Sequence, residues 1–437
     1  MCIRGDKTSD LAYPNEKRKT ERFSSFSFMS IKKSGNDAIL PILLSKFVDF
    51  NYVSMIKVIL LIDCASEFDR KLLRGMVRYS KENGSWLFYR IPSDLRIGEG
   101  REEWALEWAK KWKADAIIGR WDESKSHLLQ NTKIPVVLQN NISRSDVHSN
   151  LTGDYEGTGR LAALYFKKKL YTNYAYFGVR DVIWSEERGK GFKEEVENNK
   201  GTFFSYAEEP VTGDDRRSII LWLKSLPEHT ALFCCDDAHA LLISETCRII
   251  GRRIPEDIAV LGVDDDDLLC EISDPPISSI QLDVESGGYA VCKCLHQKIL
   301  SKDSRSFNVN ISALGVRERA STLVHNVNDE YVRQLLNYID NFYNTDLEMD
   351  DILKLVPLSR RSIETRFKKS TGMTIYQYLL SVRVEHFSYL LSTTSRPLAD
   401  LAYEVGFRDF GNLSRTFRKF KGCTPQEFRS KFALFDD

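Results

Sequence analysis

The chain has 437 residues, of which 42% are hydrophobic and 28% charged, and its 62 basic residues are balanced by 62 acidic ones. That length and apolar content suit two or three packed domains and exclude a largely disordered chain. Nine cysteines, an odd number without CxxC spacing or neighbouring His, argue for reduced thiols rather than a disulfide framework or zinc site, so neither a metal nor a cofactor is expected.

Residues 1–54 mix charged and small polar residues without a sustained period and read as a disordered or non-native arm, with Met55 directly before the first strong strand. The apolar run "AILPILLSKFV" from Ala38 contains Pro and Lys and falls well short of the roughly 20 residues that cross a bilayer. With no tripartite signal peptide before it, a cytoplasmic protein without membrane attachment is expected.

From Lys57 the chain adopts a βα rhythm. "KVILLID" is a buried-strand run, "DRKLLRGMVRYSKEN" an amphipathic helix, "WLFYRI" a strand and "EEWALEWAKKWK" a helix; "AIIG", "PVVLQ", "YAYFGV", "ALFCC" and "IAVLGV" follow as short apolar strands. The alternation predicts an α/β domain over 55–322, with parallel sheets covered on both faces and enough length for two lobes. Ligands of such sheets sit at the carboxyl ends of the strands. A polar joint at 323–328 follows, and from Asp329 to 437 the pattern is purely helical.

The helical part contains a repeat with an offset of 50 residues: "SRRSIETRFKKSTGMT" from Ser359 aligns with "DFGNLSRTFRKFKGCT" from Asp409. Each copy follows a shorter apolar helix across a tight link, which predicts two helix-turn-helix units. In the second copy Phe410, Leu413, Phe417 and Phe420 recur at helical spacing and define a packed face. Charge is asymmetric: Lys354 to Lys431 carries 15 Lys+Arg against 6 Asp+Glu, leaving 47 against 56 elsewhere. A basic end on an acidic protein points to a polyanion for that end, here double-stranded DNA. With Ser359 and Asp409 as N-caps, Arg360, Arg361, Glu364 and Thr365 form one groove-facing set, and Gly411, Asn412 and Arg415 the other, while Lys368 and Lys419 suit phosphates. The helix between the copies, "TIYQYLLSVRVEHFSYLLST", spans about 30 Å at about 1.5 Å per residue. That is close to the roughly 34 Å between successive major grooves on one side of DNA.

These residues carry a resemblance to the AraC/XylS family of transcription regulators. Gly406, Phe407, Asp409, Leu413, Ser414, Arg415, Phe417, Arg418, Lys419, Gly422, Thr424, Pro425, Glu427 and Arg429 match its signature. Pro357 departs from it, standing where the first unit often carries Gly. The resemblance implies a homodimer on DNA that engages RNA polymerase, and activation of transcription.

The α/β half resembles the sensing domain of LacI/GalR regulators, which shares its fold with periplasmic sugar-binding proteins. "ERGKGF" from Glu187, "FCCDDAHA" from Phe233 and "LGVDDDDL" from Leu261 carry the likeness. It implies a sugar ligand held by Arg188, Asp236 and Asp264, with Asp237 and Asp265 as alternatives to their neighbours. Carboxylates accept from adjacent hydroxyls and a guanidinium donates a fork of N–H groups, which suits a polyol. Trp184, Trp121 or Phe68 would cover an apolar face of the sugar. The order of sensor then reader, with "FDR" at Phe68–Arg70 and "WSEER" at Trp184–Arg188, is similar to xylose-responsive members of the AraC/XylS family and implies a pentose such as xylose. Two alternatives stand beside this reading. One is a constitutive DNA-binding protein whose sensor has lost its ligand. The other is an enzyme on a sugar or nucleotide, against which the chain shows no P-loop, GxGxxG, HExxH or GxSxG motif, so no catalytic residues are expected.

Overall fold

The computed structural model describes residues 55–91, 100–139, 142–208, 216–301, 305–327 and 329–432; the arm expected at 1–54 lies outside them. Within them the short apolar runs form twelve strands: β1 (Ile56–Leu61), β2 (Trp86–Arg90), β3 (Ala116–Gly119), β4 (Val136–Leu138), β5 (Ser149–Gly153), β6 (Asn173–Val179), β7 (Thr202–Glu208), β8 (Thr230–Cys234), β9 (Ile258–Val263), β10 (Ser278–Leu282), β11 (Asn308–Ile311) and β12 (Ala313–Arg317). The first lobe is built on a sheet of order β11-β5-β4-β3-β1-β2, the second on β12-β10-β9-β8-β6-β7. All pairings are parallel except β10 with β12.

The chain crosses between the sheets three times, after β5, after β10 and between β11 and β12. These crossings are bonded to each other: Asp154 N–H donates to Ile311 O at 2.9 Å and Asp283 N–H to Ser312 O at 2.9 Å. Flanking them, one helix pair serves each lobe: Glu67–Glu82 with Val284–Ser301, and Tyr155–Lys168 with Ile183–Asn198. Both pairs meet at glycines. A Cβ on Gly159 would lie 2.1 Å from Arg188 O, and one on Gly191 2.1 Å from Glu156 O. Strand alternation splits the first sheet between two cores. Val58 and Leu60 face the core that continues into the second lobe, while Ile59 and Leu61 face a separate one with Ile117 and Ala105.

The helical part consists of Glu330–Phe342, Met349–Lys354, Arg360–Thr371, Ile375–Thr393, Leu398–Glu404, Phe410–Lys421 and Pro425–Phe432. The sequence repeat is reproduced in the way both of its helices begin and end. Ser359 Oγ accepts from Ser362 N, and the Asp409 carboxylate from Gly411 N and Asn412 N. Gly372 (φ +74°) and Gly422 (φ +77°) close the two helices in the left-handed region. Thr374 with Gln377, and Thr424 with Glu427, then make reciprocal capping boxes for the next helix. On the face expected to pack, Leu413 and Phe417 are fully buried, but Phe420 is 38% exposed at the end of its helix, and the Phe410 side chain lies outside the described residues. Pro357 sits exposed in the first turn without displacing the Ser359 cap.

The connecting helix Ile375–Thr393 is 19 residues, about 28 Å long. Ile375 and Leu379 belong to the core of the first unit; Val384, Phe387 and Leu391 belong to that of the second. The joint is not solvated. His325 is 1% exposed, Val327 is buried with the helical part, and Asn326 N–H donates to Lys169 O at 3.0 Å. Among the described residues no helix is long and apolar enough to cross a membrane.

Backbone stands against each of these glycine Cα atoms, so no side chain can move aside. Gly159→Ala is expected to force the paired helices apart and cost about 1–3 kcal/mol of stability, the range for overpacking. A melting temperature equal to the parent's would show that the pair tolerates separation.

Candidate ligand cleft and nucleic-acid interface

Between the lobes, Arg188 on the helix Ile183–Asn198 is held at 3% exposure. Its Nη1 donates to Cys235 O at 2.5 Å and its guanidinium lies over the rings of Trp184 (5.3 Å) and Tyr155 (5.6 Å). Nη2 is 3.7 Å from Asp264 Oδ1, beyond hydrogen-bond distance. Arg188 Nε and Asp264 Oδ1 are both buried without a hydrogen-bond partner in the protein. Two charged groups of opposite sign thus face each other with unspent capacity, an arrangement that favours a ligand able to donate and accept at once.

Asp264 follows β9 at φ +102°, a backbone region that non-glycine residues rarely adopt. Burial pushes its carboxyl up to about 6 against the pull of Arg188. Its neighbours are committed elsewhere. Asp236 Oδ1 caps the helix Asp237–Ile250, accepting from His239 N at 2.8 Å and bonding His239 Nδ1 at 2.6 Å. Burial acts to raise Asp236, but His239 and Arg188 outweigh it and hold the carboxyl below its ordinary value. Asp237 accepts from Ser279 Oγ (2.6 Å) and Asp266 N (2.8 Å) and packs against Gly262. Asp265 is 4% exposed, bonded to Gln281 and paired with Arg319. Cys235, Asp236 and His239 bring possible metal-ligand atoms within 4.8 Å of one another. Asp236 is already spent as a cap, however, and burial pushes the Cys235 thiol far up, which disfavours the thiolate a metal needs.

Phe68 joins the cleft, lining a small cavity with Thr152, Gly153, Tyr155, Thr158, Leu282 and Ile311 beside the crossings. Trp184 does so through Arg188. Trp121 does not. It is 5% exposed in the separate core with Ile59 and Leu61, and its indole N–H donates to Lys125 O at 3.2 Å. The position just after β3 that suggested a ligand contact belongs to Arg120 instead. Arg120 Nη2 pairs with the buried Asp69 at 3.0 Å, and Arg120 Nε, Asp69 Oδ2 and Gln139 Oε1 are further buried atoms without partners. Arg120, Gln139 and Asp69 follow the adjacent strands β3, β4 and β1. Strand-end position was the available signal for them. It was obscured because an Asp inside the first turn of a helix also reads as a charge on the helix N-terminus.

The lobes are drawn together across this cleft. Lys71 Nζ donates to Asp264 O (2.9 Å) and Asp265 O (3.2 Å). Arg144 makes a bidentate pair with Glu187, 2.6 Å on each arm.

On the helical part, Arg360, Arg361, Thr365, Lys368, Gly411, Asn412, Arg415 and Lys419 are exposed and Glu364 half-buried. Arg360 Nε pairs with Glu364 at 2.9 Å, Thr365 Oγ1 bonds back to Arg361 O, and Arg415 Nε reaches Gly411 O at 3.3 Å. The side chains of Arg361, Lys368, Asn412, Arg418 and Lys419 make no hydrogen bond or ion pair among the described residues.

A polar cluster fastens this part to the sensor. Lys169 Nζ pairs with Glu318 (3.1 Å) and Asp340 (3.2 Å). Tyr378 Oη donates to Asp340 Oδ1 (2.9 Å) and is hydrogen-bonded to His325 Nε2 (2.8 Å), while His325 Nδ1 faces Asn337 Oδ1 at 3.4 Å. Burial, with Lys169 adding to it, lowers the His325 pKa to about 4.

A two-lobed ligand cleft joined to paired helix-turn-helix units defines a ligand-responsive transcription regulator. Sequence comparison agrees: the periplasmic binding protein-like domain family matches residues 163–322 and the helix-turn-helix domain family residues 353–431. The chain therefore carries both domains in that order, and it is homologous to xylose operon regulatory proteins. It is 25% identical to that of Haemophilus influenzae over 385 residues, 85% of this chain and 98% of the relative. It is likewise 25% identical to that of Escherichia coli K12 over 386 residues, 85% and 96%. The melibiose operon regulatory protein of the same strain is 32% identical over 99 residues, covering 23% of this chain and 33% of the relative. The solved structure of the xylose-binding transcription activator XylR shares the fold, with a TM-score of 0.55 and 22% identity over 87% of this chain and all of that one.

Because His325 is neutral when folded and takes a proton near 6.5 when unfolded, its contribution is complete above pH 6.5 and is lost as pH falls toward 4. Over that interval the loss approaches about 3 kcal/mol. His325→Gln is expected to flatten the fall in melting temperature between pH 6.5 and 4; an unchanged slope would show that His325 is not the group responsible.

Proposed function

We propose that this protein is a sugar-responsive transcription activator of carbohydrate-utilisation genes with a pentose, D-xylose, as effector. The observation that carries the reading is homology running through sensor and reader alike to regulators of xylose operons. The cleft chemistry supports a polyol. Asp264 would accept from adjacent hydroxyls and Arg188 Nε donate to a third, with Phe68, Tyr155 and Trp184 against the ring. Asp69, Arg120 and Gln139 supply unspent polar atoms from the other lobe. Asp236 takes part only by holding Arg188 electrostatically.

On DNA, Arg361, Asn412 and Arg415 read base edges, and Lys368 and Lys419 bind phosphates. Glu364 and Arg360 begin as a pair that DNA must open. We take 55–322 as sensor, 323–328 as joint and 329–437 as reader. A homodimer presents four readers to its site and RNA polymerase is its partner in activation. No catalytic role is assigned to the cleft. A thermal-shift panel of sugars tests the effector directly: saturation at 100 times the dissociation constant adds about 2.7 kcal/mol of stability. Silence across the panel would favour a ligand-dead sensor.

Asparagine tolerates the positive φ at position 264, so Asp264→Asn removes charge without new backbone strain. D-xylose affinity is expected to fall roughly 10- to 150-fold by titration calorimetry, the cost of charge-assisted hydrogen bonds, while operator affinity without sugar is retained. Because the acceptor is the carboxylate, affinity in the parent should approach its full value by about pH 7, be halved near pH 6 and be about tenfold weaker at pH 5, and the Asn variant should lose that dependence.

At the other end, Arg415→Ala is expected to cost about 1–3 kcal/mol on the specific site and relax preference at one base pair. Lys419→Ala should weaken all sequences alike and flatten the salt dependence. Identical behaviour of the two on specific and random DNA would reverse the assignment.

A further inference from the structure

The connecting helix Ile375–Thr393 presents Tyr378, Glu385 and Tyr389 toward the rest of the molecule, at spacings of seven and four that place them on one stripe. Tyr378 holds the joint through His325. Glu385 binds Lys168 of the sensor at 3.0 Å and, with its other oxygen, Lys421 at the end of the second recognition helix at 2.7 Å. Tyr389 Oη donates to Gln281 Oε1 at 2.6 Å. The other end of the same amide, Gln281 Nε2, donates to Asp265 Oδ2 at 2.7 Å.

Asp265 is the residue after Asp264, and its carbonyl, like that of Asp264, receives Lys71 from the opposite lobe. Gln281 lies where the β10–β12 ladder shifts register, one residue before β10 ends at a crossing between the lobes. Gly315, its partner on β12, lies beside the Tyr389 ring, where a Cβ would be in ordinary contact at 3.8 Å from Cδ2. The loop at 264–265 therefore has the far lobe on one side, the orphaned Asp264 carboxylate in the cleft, and a two-bond path to the reader on the other.

We propose that Asp265, Gln281 and Tyr389 form a relay that converts occupancy of the cleft into a change in the setting of the connecting helix, and through it of both recognition helices at once. The relay rests on the reading of the cleft as the effector site. Its amide is bifunctional: the oxygen must face a hydroxyl donor and the nitrogen a carboxylate, so a rotation or shift at Asp265 unseats both bonds together. Both cores of the reader are built on the connecting helix, so a change in its setting reaches the two units jointly.

The test uses the full chain and hydrogen exchange read by mass spectrometry, first without sugar. Tyr389→Phe removes one oxygen and Gln281→Met keeps the side-chain length. Tyr389→Phe is expected to speed amide exchange at 261–270, and Gln281→Met to speed it at 375–393, by about 3- to 10-fold, the size of a neutral hydrogen bond; Gln281→Met, which also loses the bond to the Asp265 carboxylate, should speed 261–270 by about 10-fold or more. Exchange at 261–270 equal to the parent's in both variants overturns the relay.

D-xylose is then added. The parent should change its exchange at 375–393. Tyr389→Phe should bind D-xylose within about threefold of the parent by calorimetry, yet lose most of that change. A Tyr389→Phe response equal to the parent's overturns the relay while leaving the effector reading intact. Absence of D-xylose heat in the parent, with the sugar-free differences present, sinks the effector reading and leaves the relay standing.

Discussion

One buried ammonium decides how the two halves of this molecule are joined. Lys169 closes the helix Tyr155–Lys168 and is 5% exposed, with its charge answered by Glu318 from β12's end and by Asp340 from the first helix of the reader. Burial disfavours that charge, yet the surrounding anions hold the Lys169 pKa well above its ordinary value. Lifting the reader away would break the Lys169–Asp340 pair, leave Glu318 as the remaining partner and give up the packing of Leu170 against the reader's core, losses that rehydration of the separated ions only partly offsets. The reader is thus fixed to the sensor by a cost of separation rather than tethered by a flexible joint. That fixation gives the weaker contacts at Glu385 and Tyr389 defined geometry to act through.

The same reasoning explains why the cleft is built as it is. Three crossings link the sheets, and Arg70 and Lys71, on the helix after β1, reach the loop that follows β9. Strand ends supply Arg120, Gln139 and Asp264, and the helix after β1 supplies Asp69, four polar groups with unspent hydrogen-bonding capacity that an unliganded protein gains nothing by burying. Asp264 adds a positive φ to that cost. Lys71 and the Arg144–Glu187 pair hold the lobes together over these groups, so the cleft is arranged before any ligand enters and less of the binding free energy goes into ordering it.

How much of this was legible in the sequence depends on how local the determining interactions are. The reader was legible almost residue by residue, because caps, closing glycines and capping boxes act within four positions of each other, and a repeat displays each of them twice. In the sensor the apolar central strands were equally plain. β5, "SNLTG", was not, because its residues are polar yet buried: Asn150 is satisfied by Ser145 and His148 nearby and by Asn308, 158 positions away. β10, β11 and β12 escaped notice for a related reason, being short strands around the crossings whose pairing depends on the lobe they enter. Arg188 and Asp264, which the fold brings to 3.7 Å of each other, stand at positions that motif resemblance had indicated. Trp121 was misplaced because position after a strand does not say which face of the sheet a side chain takes, whereas strand alternation sends it to the core with Ile59 and Leu61. Gln281 and Tyr389 had no sequence signal at all, since their meaning lies in a contact 108 positions apart.

Magnitudes limit what such a device can transmit. A ligand shifts an equilibrium only by its differential affinity for the two arrangements, and coupling between sites generally falls at about 1–3 kcal/mol. A neutral hydrogen bond at Tyr389, about 0.5–1.5 kcal/mol, and one to the Asp265 carboxylate, about 1.5–3 kcal/mol, lie within that range. Undocking the reader would break more than this, since the Lys169–Asp340 and Lys168–Glu385 pairs and the packing of Leu170 against the reader's core are lost together. Effector energy is therefore sufficient to reset Gln281 and Tyr389 but insufficient to undock the reader. The response this structure supports is a rotation or bend of the connecting helix about a fixed attachment near Tyr378. Such a motion displaces the second unit, beyond Tyr389, more than the first, whose core is anchored at the joint. Activation on this design is a change in the spacing and angle between two permanently presented readers, and DNA sites matched to the altered spacing are the ones that feel the sugar.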